Sequence, residues 1–361
     1  MPAQKRPDYL QTVNERVVVF DGAFGTYVQG KDLTADDFGG QHLEGCNELL
    51  AVTRPDLIAA MHEDFLKVGV DALETATFGS FGTVLTEYGI ADRAYEITLA
   101  AARIARDVAN SFESDGRPRY VAGSVGPGTK LPSLGHIAFS DLRDTYEEHA
   151  RALIEGGVDL LLIETCMDLL QIKAAMQGGR RAMQAMGREV PIQVQVTMET
   201  TGRMLVGTEI GAALTALLAM KPAVIGINCA TGPAEMQEHL RHLAQHSPIP
   251  ISVLPNAGLP SVVDGKTHGR DGTVDMREIA GRFASQASVP LVIDSTEPQV
   301  MEAALQLAGG RCILNSANLE DGEEPGRRMD RVFTLARDYG AAVICLLIDE
   351  RGQARDVEWK M

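Results

Sequence analysis

The sequence predicts an α/β protein built as a TIM-type (β/α)8 barrel, and three observations point there. Apolar, β-branched runs alternate along the chain with amphipathic helical stretches, the pattern of parallel strands joined by helical crossovers. The runs are apolar throughout, as strands covered on both faces are. Acids, Asn, Ser, Thr and Cys collect at the C-terminal end of run after run, the end at which such barrels carry their sites. A doubly wound open sheet competes less well. No Gly-x-Gly-x-x-Gly follows the first run, and the polar strand ends are spread over nearly every run.

In chain order the runs are VVVFDGAFG (17–25), DALETATFG (71–79), YVAGSVGPG (120–128), DLLLIETC (159–166), PIQVQVTME (191–199), AVIGINCATG (223–232) and PISVLPNAG (250–258). Three more follow: VPLVIDSTE (289–297), RCILNSAN (311–318) and AAVICLLIDE (341–350). Helical periodicity fills 54–69, 92–110 and 141–157 between them. One barrel uses eight strands, so ten runs exceed one barrel. The stretch GLPSVVDGKTHGRDGTVDM (258–276), rich in Gly and Asp and weak in periodicity, is the strongest candidate boundary.

Bulk properties exclude several classes of function. A length of 361 residues with 45% hydrophobic and 23% charged residues is that of a globular protein with a sizeable core. A net charge of -16 opposes nucleic acid and anionic membrane as partners. No apolar run reaches the ~20 residues of a membrane span, and the N-terminal stretch does not read as a signal peptide. Five scattered cysteines without a Cys-x-x-Cys pair indicate neither a disulfide framework nor an ordinary zinc knuckle, so a reducing cytoplasm is expected.

The residues that could carry chemistry sit at run ends. Asp21 (FDGAFGT) and Glu164 (LLIETC) end apolar runs, where they could hold a substrate ammonium group or serve as a helix cap or loop ion pair. Cys229 emerges at the end of VIGINCATGP beside Asn228, and three readings fit it: a small buried residue, a thiolate ligand, or a nucleophile. GSVGPGTKLPSLG (123–135) could cradle an anion with Lys130 or form a rigid loop; it lacks the Gly-Lys-Ser/Thr ending of a P-loop. His239, His242 and His246 lie on one helical stretch and read as a solvated face. Cys312 and Cys345 read as core residues.

Taken together, VVVFDGAFGT, HLEGCNELLAVTRPDLI, VGVDALETATFGS, VAGSVGPGTKLPSLG, LLIETCMDLLQIKAA, GINCATGPAEM and SVLPNAGLPSVVDGKT resemble the homocysteine-binding module of the cobalamin-dependent methionine synthases, in that family's order, over roughly residues 10 to 267. The resemblance implies a (β/α)8 barrel in which zinc, held by three cysteine thiolates, binds the homocysteine sulfur as a thiolate that accepts a methyl group from methylcobalamin. It assigns Cys229 to one zinc thiolate, and Asp21, Glu164 and Asn228 to substrate binding. The other two zinc cysteines are adjacent in that family, and no Cys-Cys pair occurs in this chain. Cys166, His268 or Asp294 would have to complete the site.

From 269 to 355 the chain resembles instead the middle of the next module, the pterin barrel, with Asp294 and Asn315 matching residues that hydrogen-bond the pterin of methyltetrahydrofolate. The expected organisation is therefore a homocysteine barrel over 1–267 and a truncated second-barrel segment over 268–361, with residues 289–296 supplying the closing strand. A homocysteine S-methyltransferase served by a corrinoid-binding domain or protein is the implied function. A rearranged, catalytically inactive barrel lacking the complete zinc site is the alternative.

Overall fold

The computed structural model describes residues 7–113, 117–256, 261–263, 266–268, 276–277, 280, 291–308, 311–322, 324–349 and 352–353. The chain divides into two compact units, Met1–Asn256 and Ala257–Met361, a boundary upstream of the 267/268 position expected from the sequence.

In the first unit six parallel strands form one sheet in simple sequential order: β1 (Ala72–Glu74), β2 (Tyr120–Val125), β3 (Leu160–Cys166), β4 (Ile192–Val196), β5 (Val224–Asn228) and β6 (Ile251–Leu254). The first run, 17–25, contributes a single parallel bridge, Phe20 to Ala72, flanked by Asp21 N–H to the Ala72 carbonyl at 3.0 Å. Helices cross between the strands, among them Pro55–Lys67, Ala94–Phe112, Phe139–Glu155, Leu169–Met186, Ile210–Leu218 and Pro233–His246. The helix signals are local: Pro55 opens its helix at a first-turn position, and the Asp168 side chain caps Leu169–Met186 through Leu170 N–H at 2.8 Å.

Strand side chains alternate between two layers. Leu73, Val121, Leu161, Ile163, Val194, Val196, Ile225 and Ile227 face the helices and form the main core. Ala72, Tyr120, Ala122, Leu160, Leu162 and Val224 face the other way and enclose a second cluster with Tyr9. The helix Tyr9–Glu15 seals that layer, since Tyr9 Oη donates to Gln193 Oε1 at 2.6 Å and the Thr12 and Tyr120 hydroxyls share a 2.6 Å bond.

The sheet is curled, because its two borders face a common cleft of about 780 Å³ lined by Val17–Phe20 on one side and Ile251–Leu254 on the other. Val17 (81% exposed), Val19, Ile251 and Val253 lie open along these borders. Among the described residues, none from 289–296 joins this sheet, which corrects the expectation of a closing strand.

That segment pairs elsewhere. In the second unit β7 (Ser261–Val263) and β8 (Lys266–His268) form an antiparallel pair. The sequence reading missed this pair, although Asp-Gly between two short runs is a hairpin signal. β9 (Val292–Asp294), β10 (Ile313–Leu319) and β11 (Ala342–Asp349) are parallel, and β12 (Gly352–Gln353) adds antiparallel to β11. Helices Pro298–Leu305 and Arg328–Tyr339 cross between them, and Ile293, Met301, Ala304, Leu314, Val332 and Ala336 bury a core of their own. This unit therefore satisfies β9 locally. Cys312 is buried as expected, whereas Cys345 is exposed.

Gly226 lies on the inner face of β5, and a Cβ there would collide with the Ser252 backbone of β6. Gly226→Ala is expected to destabilise the protein by about 1–3 kcal/mol, as overpacking does, read as a lowered urea midpoint at unchanged m-value.

Candidate functional site

The alternation that fills the interior with Ala72, Ala122 and Leu162 brings Glu74, Ser124 and Glu164 to the same face two residues later, at the C-terminal strand ends. Glu164 is 6% exposed, so its carboxyl must find partners within the protein. Ser124 Oγ donates to Oε1 at 2.5 Å, and Asn228 Nδ2 donates to Oε2 at 3.1 Å. Ser124 is itself fixed from beneath: its N–H donates to Thr75 Oγ1 at 3.0 Å, and its carbonyl accepts from Thr77 Oγ1 at 2.7 Å and meets buried His149 Nε2 at 3.1 Å.

Asn228 joins the ends of β3 and β5. Its Oδ1 accepts the Thr165 N–H at 2.8 Å, and its Nδ2 reaches Thr165 Oγ1 at 2.9 Å. Thr197 Oγ1 donates to the Asn228 carbonyl at 3.0 Å. The two residues following these carboxylate and amide positions, Thr165 (φ 56°) and Cys229 (φ 56°), are both left-handed, as is Ala230 (φ 57°). Non-glycine residues in this region store about 1–3 kcal/mol each, and such strain clusters at functional sites. The Cys229 thiol lies between the two: Thr165 Oγ1 and Asn228 Nδ2 each approach Sγ at 3.4 Å. Burial pushes this thiol up, the Thr165 hydroxyl pulls it down, and the charges of Glu164 and Glu74 raise it again. On balance these surroundings hold Cys229 toward its thiol form, which opposes a nucleophilic role.

Asp21 approaches from the segment before the short helix Phe24–Gln29 and accepts the Glu74 N–H on both oxygens, at 3.0 and 3.1 Å. Three carboxyls thus lie within electrostatic reach of one another. Burial, then repulsion from Glu164, holds Asp21 well above the usual carboxylate range despite backbone donors. Burial followed by the charges of Glu164 and Asp21 does the same to Glu74. Glu164 is pushed up to about 7 by burial, against the opposing bonds from Ser124, Thr165 and Asn228.

The structure thus brings Asp21, Glu164, Asn228 and Cys229 into one neighbourhood. Glu74, Ser124 and Thr165 belong to it too and were missed, although Glu74 ends the run DALETATFG much as Glu164 ends its own. Cys166, a candidate partner of Cys229, is buried in the helix-facing layer with its thiol on the Glu164 carbonyl at 3.4 Å. The His268 side chain lies outside the described residues. Among the described residues no three His, Cys, Asp or Glu side chains come together as metal ligands.

Lys130 is exposed on a loop held by Gln171 and Asp168, the rigid-loop alternative. His242 and His246 stack with ring centroids 4.3 Å apart on the helix Pro233–His246. In the second unit Asp294 and Asn315 are neighbours in register at adjoining strands, and Asp294 Oδ1 accepts from Ser316 Oγ at 2.7 Å.

The family model described as homocysteine S-methyltransferase matches residues 18–321. The methionine synthases of Mycobacterium tuberculosis (strain ATCC 25618 / H37Rv) and Mycobacterium leprae (strain TN) are 39% and 38% identical over 476 and 481 residues. Each alignment covers 98% of this chain and 40% of the relative, so the chain spans less than half the length of these relatives. Both alignments are longer than the 361-residue chain, so more than a hundred residues of each relative face gaps here. Among solved structures, the metallated form of the homocysteine methyltransferase MmuM from Escherichia coli superposes with a TM-score of 0.58 at 20% identity, covering 69% of this chain and 86% of that one. Its oxidized form does so with 0.58 at 18%, covering 92% and 100%. The likeness to MmuM is one of fold.

Glu164 binds more protons folded than unfolded between its ordinary value and about 7. Its contribution to stability is therefore fully present at low pH and is lost as pH rises through about 7. Urea midpoints of the wild type are expected to fall between pH 5 and 8, with a shallower fall in Glu164→Gln.

Proposed function

This chain belongs to the homocysteine S-methyltransferase family, and we propose that it is the homocysteine-binding part of a methionine synthase-type methyltransferase, folded as a (β/α)8-type barrel. The observation that carries this reading is the buried carboxylate Glu164, fixed by Ser124 and by the same Asn228 that touches the Cys229 thiol. Asp21 and the buried Glu164 hold the ammonium group of homocysteine, whose positive charge offsets the cost of two neighbouring carboxylates. Asn228 orients Glu164, and its amide together with the Thr165 hydroxyl presents Cys229 toward the substrate sulfur.

In the cobalamin-dependent methionine synthases that the sequence resembles, the methyl group comes from methylcobalamin, with methyltetrahydrofolate as the ultimate donor, so a corrinoid-binding domain or protein is the partner. Asp294 and Asn315 are the pterin-facing pair, and the compartment is the cytoplasm. No helix among the described residues is long and apolar enough to cross a membrane, and the net charge of -16 opposes nucleic acid.

Zinc, which would supply a Lewis acid that keeps the homocysteine sulfur a thiolate, does not fit the described donors. One thiol flanked by a hydroxyl and an amide is not the set of three or four N, S or O ligands that zinc takes. No step is therefore assigned to it. The same mismatch, with the residues of the relatives that face gaps here, favours the second reading, a rearranged barrel that binds homocysteine without turning it over.

Zinc stoichiometry of the purified chain, with and without homocysteine, separates the two. Near-stoichiometric zinc lost in Cys229→Ser supports the methyltransferase; no zinc at micromolar free metal, with homocysteine still bound, supports the inactive barrel. Failure to bind homocysteine at all would overturn both.

A further inference from the structure

Glu74 is the acid in this neighbourhood that substrate binding leaves without a task. It shares the inner face of β1 with Ala72, whereas Leu73 between them packs against the helices. The residue is half-buried; its Oε1 is enclosed and has no hydrogen-bond partner among the described residues, while its backbone N–H serves both oxygens of Asp21. The charged groups that act on it are Glu164 from β3 and Asp21 from the segment before Phe24–Gln29, both carboxylates. Cys229, at the end of β5, is the further titratable group that senses it.

An ionised carboxylate with one oxygen enclosed and unpartnered, beside two other carboxyls, is costly, and either a proton or a cation removes the cost. Ser124 and Asn228 satisfy Glu164, and Glu74 N–H satisfies Asp21; among the described residues none does the same for Glu74 Oε1. We propose that Glu74 is protonated in the free protein and releases that proton to solvent when the ammonium group of an amino acid enters, so that binding exchanges one positive charge for another. The inference rests on the reading that this site takes the ammonium group of homocysteine. In the exchange the Glu74 O–H bond breaks and the proton passes to buffer. No covalent bond to the ligand forms, and the net charge of the enclosed cluster is conserved. Glu74 is thereby a charge-balancing residue that sets the preference for cationic amines over neutral or desamino ligands.

The test is calorimetric titration of the full chain with L-methionine, whose thioether carries no titrating proton, at pH 7 in two buffers of different ionisation enthalpy. The wild type is expected to release about one proton per ligand, since the group is protonated before binding and ionised after it. Its affinity should tighten as pH rises from 6 to 8. In Glu74→Gln, checked for folding by its thermal transition, the release should fall by half or more and affinity should weaken about tenfold, the equivalent of ~1.4 kcal/mol. Equal proton release in Glu74→Gln and wild type would assign the proton elsewhere and overturn the inference alone. Wild-type binding without proton release or pH dependence would overturn it whether or not the variant folds. A wild type that binds neither L-methionine nor L-homocysteine would remove the substrate reading and this inference with it.

Discussion

Burial of the Glu164 carboxyl is the constraint around which the strand ends are arranged. A carboxyl at 6% exposure has to be met from within the protein, and the partners come from both sides, Ser124 on β2 and Asn228 at the end of β5. Each partner is held in turn. Thr75, Thr77 and His149 position Ser124, and Thr165 and Thr197 position Asn228. The left-handed residues sit directly after the two pinned side chains: Thr165 at an irregularity within β3, which continues to Cys166, and Cys229 just past the last residue of β5. Strain of that kind persists only where surrounding bonds over-determine it.

The same arrangement explains why Cys229 is a restrained thiol. A cysteine becomes reactive beside a cation or a helix N-terminus, and here its neighbours are a hydroxyl, an amide and two carboxyls that raise it. The site is built to receive positive charge rather than to supply it. The chain's place in the homocysteine S-methyltransferase family thus stands beside a donor set in which, among the described residues, no three metal-ligating side chains come together.

The curled sheet has an analogous incompleteness. Parallel sheets are stable when both faces are covered. Along β1 to β5 the helices and the inner cluster provide that cover, while the two borders leave Val17, Val19, Ile251 and Val253 open. More than a hundred residues present in the relatives have no counterpart here. β9 belongs to the sheet of its own unit, where it pairs along one edge with β10 and places Ile293 in that unit's core.

The sequence by itself determined the alternation of strand and helix, the parallel order of the first sheet and the identity of Asp21, Glu164, Asn228 and Cys229 as strand-end residues. These follow from local periodicity and from the position of polar residues after apolar runs, which need no knowledge of distant contacts. Only the tertiary structure decided the rest. Cys166 and Cys229 both end apolar runs, yet the turn at Thr165 sends Cys166 into the helix layer and leaves Cys229 beside Asn228. Glu74 differs from Glu164 by having no partner for Oε1 among the described residues, a property of which side chains cross from neighbouring strands rather than of its own sequence. Strand pairing divided the ten runs between two sheets for the same reason, since hydrogen-bond partners and burial are set by register and packing between segments far apart in the chain.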